Sequence, residues 1–76
     1  MKKIKLIWDF KGLESKKTAE HFQIHLLEFL KNNQILNYNS KVELVNEHHS
    51  INFLIIDEEY INLIKNALKP HKAFLV

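Results

Sequence analysis

A chain of 76 residues has room for one domain, near the lower limit at which a hydrophobic core holds a fold without staples. It contains no cysteine, which excludes disulfides and thiolate metal sites, and its eleven basic residues are all lysine, so the bidentate arginine fork that grips phosphate or guanine is missing. An apolar fraction of 46% argues for a packed globule, and a net charge of +2 with scattered lysines gives little pull on nucleic acid.

Ile4, Leu6, Trp8 and Phe10 alternate with Lys3, Lys5, Ile7 and Asp9, which predicts a first strand with a core face and a mixed face. The only glycine, Gly12, lies in the loop that follows, where it can supply a positive φ, and Ser15 is placed to cap a helix. Ala19, Phe22, Leu26, Phe29 and Leu30 form one helical stripe and predict a helix over Lys16 to Asn32. His21, His25 and Glu28 flank that stripe. The asparagines from Asn32 to Asn39 mark its exit and a polar connection.

Val42 to Glu47 and the β-branched run Ile51 to Ile56 predict two strands joined through His48-His49-Ser50. Asp57 is expected to cap a second helix, with Glu58 and Glu59 in its first turn and Ile61, Ile64, Ala67 and Leu68 on its buried side. Pro70 ends it, and His71 to Val76 makes a final strand. The opening Met1-Lys2-Lys3-Ile4 has no sustained apolar run after its basic start, and no stretch reaches membrane-spanning length. The expectation is a cytoplasmic protein with no membrane contact.

The predicted order β-α-β-β-α-β gives a single α+β domain over residues 1–76, with a four-stranded antiparallel sheet in spatial order 4-1-3-2 and both helices on one face. This order resembles the ferredoxin-like fold. It brings the end of the first strand, the central hairpin and the start of the last strand to one rim, which predicts a cluster of Asp9, His21, His25, His48, His49 and His71. Imidazoles four apart on a helix share a face, as a divalent metal site needs, and histidine also serves as a plain polar residue in hairpins and on helix flanks. No serine stands out as a nucleophile, since Ser15, Ser40 and Ser50 all sit where turns favour serine.

The third strand is apolar at nearly every position, so part of it must lie on the sheet face that no helix covers. Either Ile51, Phe53 and Ile55 or Leu54 and Ile56 lie there, with Ile7 and with Val45 or Leu44 at the edge; Ile7, Val45, Leu54 and Ile56 are the candidate interface, with a second copy or another protein as the cover. An RNA-binding sheet would need exposed aromatics on the first and third strands, whereas Trp8 and Phe10 share the parity of the core residues. Phosphate hydrolases of similar topology use an arginine in the first loop, and this chain has none.

Two segments carry a narrower resemblance. Trp-Asp-Phe-Lys-Gly at Trp8 to Gly12, followed by Thr-Ala-Glu-His-Phe-Gln-Ile-His-Leu at Thr18 to Leu26, resembles a group of small bacterial proteins of uncharacterised function. The resemblance covers about the first half of the chain and implies that Asp9, Glu20, His21 and His25 are the residues to probe. It implies no activity. The copper metallochaperone branch of the ferredoxin-like fold carries cysteines in the first loop, and Asp9-Phe10-Lys11-Gly12 has none. The leading expectation is therefore a binding or assembly module, not an enzyme, that self-associates through the helix-free sheet face. The alternative is a small metal-binding or catalytic protein that uses the histidine rim.

Overall fold

Alternation in the first strand orients everything else. In the computed structural model, which describes residues 2–76, β1 (Lys3–Lys11) buries Ile4, Leu6 and Trp8 on one face and turns Lys5, Ile7 and Asp9 to the other. Gly12 turns the chain with φ +108°, in the region glycine tolerates, and its N–H donates to the His48 carbonyl at 2.7 Å.

The expected helix is present as α1 (Ser15–Asn32). Ser15 does not cap it: it is the first helical residue and is buried, with Oγ 3.3 Å from Ser50 Oγ. The serine is taken inward because Ala19, Leu26 and Leu30 fix that side of the helix on the sheet. The far end closes without glycine. Gln34 adopts φ +59°, its N–H donates to the Lys31 carbonyl at 3.0 Å, and the Ile35 N–H donates to the Leu30 carbonyl at 2.9 Å, the paired bonds of a Schellman motif. Ile35 and Leu30 then pack in the same core, as that motif favours.

Strands β2 (Asn39–Asn46) and β3 (His49–Asp57) form a hairpin with a bulge between Leu44 and Asn46. The turn is shorter than expected: Glu47 and His48 make it alone, and His49 and Ser50 belong to β3, opposite Lys11 and Phe10. Asp57 also departs from expectation. No side-chain bond caps the helix; Asp57 Oδ1 lies 3.3 Å from Lys3 Nζ, its cross-strand neighbour, and a 3-10 turn at Glu58–Tyr60 leads into α2 (Ile61–Leu68). Lys69, at φ +48°, ends α2 just before Pro70, and the chain closes with β4 (Lys72–Leu75).

The sheet is fully antiparallel in the expected order, β2-β3-β1-β4. Leu26 and Leu30 of α1 and Ile64 of α2 join Ile4, Leu6, Trp8, Leu54 and Ile56 in one core, so both helices pack on the same face. Trp8 ties the layers together by donating from Nε1 to the Leu68 carbonyl at 2.9 Å.

This packing corrects two members of the expected interface. Leu54 and Ile56 lie opposite Leu6 and Ile4, and directly opposed residues share a face, so both are fully buried beneath the helices. On the two central strands the apolar residues of the uncovered face are Ile51, Phe53 and Ile55 with Ile7. Val45 is exposed, but it stands at the bulge of the outer strand, away from the middle of the face.

Candidate functional site

Cross-strand register lays the uncovered face out in rows. Asn39, Ile55, Lys5 and Phe74 make one row, Lys41, Phe53, Ile7 and Lys72 the next, and Glu43, Ile51 and Asp9 a third. Apolar side chains thus run along β3 and continue at Ile7 of β1, while Lys5 and Asp9 of β1 and Lys41, Glu43 and Lys72 of the outer strands surround them with charges of both signs. Phe53 is only 8% exposed although no helix covers it, because its neighbours close around it and Lys5 Nζ sits 4.6 Å from its ring centroid. Phe74 is 51% exposed on the outer strand and extends the patch. The sequence argument missed Phe74; its parity follows once Lys5 is known to lie opposite it.

The polar rim divides in two, because Asp9 and His49 point from their strands to the uncovered face while His21 and His25 belong to α1 on the other side of the sheet. At one corner of the uncovered face, Asp9 Oδ1 accepts a bond from His49 Nε2 at 2.9 Å, and Lys72 Nζ lies 3.7 Å from Asp9 Oδ2. The Asp9 backbone N–H donates to His71 Nδ1 at 2.7 Å, which leaves that ring nitrogen an acceptor. The bond from His49 is the main reason the Asp9 carboxyl lies below its ordinary range; desolvation opposes it, and Lys72 leads the smaller electrostatic contributions that help it. Lys72 had not been singled out in the sequence; only the β1–β4 register brings it near.

His48 stands outside this corner. It belongs to the hairpin turn, where its N–H donates to Asn46 Oδ1 at 2.8 Å and its ring lies 3.6 Å from Glu47.

On the helix side, His21 and His25 meet edge to edge. Their Nε2 atoms share a hydrogen bond at 2.8 Å, one ring donating and the other accepting, the rings stack at 26° with centroids 4.7 Å apart, and His25 Nδ1 lies 3.5 Å from Glu28 Oε1. Both line an open cleft of about 390 Å³ whose floor is Phe10 and Phe22 and whose rim includes Lys17 and Thr18. Phe22 also packs on Trp8 and Phe10, with centroids at 5.0 and 5.5 Å, so the strip of α1 that carries the histidines is anchored to β1. Glu20 is exposed on α1.

Among the described residues no three His, Cys, Asp or Glu side chains converge on a common point that could hold a metal ion. No described helix is long and apolar enough to cross a membrane. No protein-family model matches the chain, and no curated protein or solved structure matches it.

Proposed function

We propose that this protein is a ferredoxin-like assembly module that forms a homodimer by packing the uncovered sheet faces of two copies together. The observation that carries the reading is the cluster of Ile7, Ile51, Phe53 and Ile55 on the two central strands, extended by Phe74 on the outer strand, on a face with no helix over it. An antiparallel sheet facing water alternates to polar side chains on that side, and an apolar middle is the signature of a face that is covered.

Size and charge support a second copy as the cover. A four-stranded sheet with strands of up to nine residues offers roughly 500 Å² in projection, which corrugation brings near the ~800 Å² per partner of a standard interface. Rim charges of both signs, Lys41 beside Glu43 and Lys72 beside Asp9, allow a two-fold partner to set opposite charges against each other. Dimerisation would also add burial to a core that is small for an independent fold. A cytoplasmic setting belongs to the same reading, supported by a cysteine-free chain that needs no oxidising compartment.

A mixed sample of isotope-labelled and unlabelled protein tests this directly. Isotope-filtered NMR should show contacts between copies from the methyl groups of Ile7, Ile51 and Ile55 to the rings of Phe53 and Phe74. Contacts between copies that map instead to α1 or α2, or none at millimolar concentration, would overturn it.

A further inference from the structure

His21 and His25 are an unusual pair for a solvent-facing helix side. Both are exposed and free to point into water, yet their Nε2 atoms converge to 2.8 Å. From this convergence we propose that the two histidines bind one divalent transition-metal ion of tetragonal preference, Cu²⁺ ahead of Ni²⁺, through Nε2 of each ring.

Spacing supplies the first argument. Residues i and i+4 on a helix stand one above the other, and two histidines so placed are the helical half of many metal sites. Position 22, where zinc proteases of that spacing carry their catalytic glutamate, is Phe22, which is committed to packing on Trp8 and Phe10. The pair therefore binds without the base that would make it a protease.

Distance supplies the second. With metal–nitrogen bonds of about 2.05 Å, two ligands at a tetrahedral angle stand about 3.3 Å apart, and two cis ligands at a right angle about 2.9 Å apart. The pair is held at 2.8 Å by a hydrogen bond between the two nitrogens, and a metal ion that replaces the shared proton moves the rings least when it binds them at a right angle. Square-planar and tetragonal nitrogen sites favour Cu²⁺ and Ni²⁺, and imidazole is a good ligand for both.

The third argument is the support behind the ligands. A metal-bound histidine donates its other ring N–H to a carboxylate or carbonyl, which fixes the tautomer. Glu28 Oε1 stands 3.5 Å from His25 Nδ1, on the side of the ring away from the shared nitrogens. No third His, Cys, Asp or Glu converges on the pair among the described residues, so water or an external ligand completes the coordination from the cleft above Phe10 and Phe22. The pair lies on the helix side of the sheet and the dimer face on the other, so the two proposals stand or fall separately.

The 76-residue chain titrated with CuCl₂ at neutral pH tests the site. Calorimetry should give one Cu²⁺ per chain, Ni²⁺ should bind more tightly than Zn²⁺, and the Cu²⁺ EPR spectrum should show the five-line superhyperfine pattern of two bound nitrogens. His21→Gln and His25→Gln should each weaken binding at least tenfold and reduce the pattern to three lines, with circular dichroism unchanged because both side chains are exposed. Glu28→Gln should weaken binding by roughly tenfold, and the double substitution of His48 and His49 by Gln should leave it unchanged. Cu²⁺ binding that survives His21→Gln and His25→Gln, or that is lost in the His48/His49 variant, overturns the assignment.

Discussion

Asp9 and His49 come from the end of β1 and the start of β3, and they meet at 2.9 Å between Oδ1 and Nε2 with the Asp9 side chain only 16% exposed. The contact closes the corner at which Lys72 and His71 also converge on Asp9. Because the Asp9 carboxyl is held below its ordinary value of 3.8, chiefly by this bond, the charged form is the one that the fold stabilises.

The sign of the pH dependence follows. A carboxyl whose folded value is depressed contributes stability that is fully present above its unfolded value and disappears as pH falls through the folded one. Asp9→Asn should therefore destabilise the protein by about 1–2 kcal/mol at neutral pH. The gap between the two proteins should close as pH drops below 3.8. Urea denaturation of both across that range checks this, and a gap that persists in acid would mean that Asn is disfavoured for packing reasons alone.

Gln34 gives a prediction of opposite sign. It holds the left-handed position of the Schellman motif after α1 with φ +59°, a conformation that costs an L-residue roughly 1 kcal/mol and glycine much less. Glycine also loses more freedom on folding, which offsets part of the gain. Gln34→Gly should stabilise the chain by about 0.5 kcal/mol, a shift of a few degrees in thermal midpoint. No comparable gain is expected at Asn33, whose φ of −98° any residue can adopt.

Asn52 lies at the middle of β3 beneath α1, fully buried, donating from Nδ2 to the Ala19 carbonyl at 2.7 Å while its Oδ1 has no partner. Asn52→Asp would remove the donor and place a carboxyl where no cation is in contact. A loss of about 3 kcal/mol or more is expected at neutral pH, partly recovered in mild acid as the carboxyl takes up its proton. Chemical denaturation at two pH values reads both effects.

Asn52 also shows why the sequence under-determined the site. The first strand was legible because its two parities differ in kind, Ile4, Leu6 and Trp8 against Lys3, Lys5 and Asp9. The middle of the third strand reads Ile-Asn-Phe-Leu-Ile-Ile from Ile51, apolar at both parities, and the one polar residue of that run, Asn52, faces the core. Neither face was marked, and Leu54 and Ile56 went to the wrong one. The face is set by the pairing of β3 with β1, which puts Leu54 and Ile56 opposite Leu6 and Ile4, and a bulge in the hairpin hides that register from the sequence.

The histidines failed for a related reason. Topology brought Asp9, His49 and His71 together as expected, since they sit at strand ends on one edge of the fold. The sheet itself separates them from His21 and His25. An argument from which end of a fold a residue occupies does not say which side of the sheet it occupies. Helical spacing, by contrast, placed His21 beside His25 directly from sequence.

The central claim is that the uncovered sheet face is an interface between two copies, and sedimentation equilibrium of the wild type beside Phe74→Glu tests it most directly. Phe74 is half exposed at the flank of the patch, so a charge there is tolerated by the fold but not by an apolar interface. The account predicts twice the chain mass of 9.1 kDa for the wild type and the single-chain mass for Phe74→Glu, with the same circular dichroism. A wild type that stays at the single-chain mass up to millimolar concentration, or a Phe74→Glu protein that dimerises as well as the wild type, would contradict it.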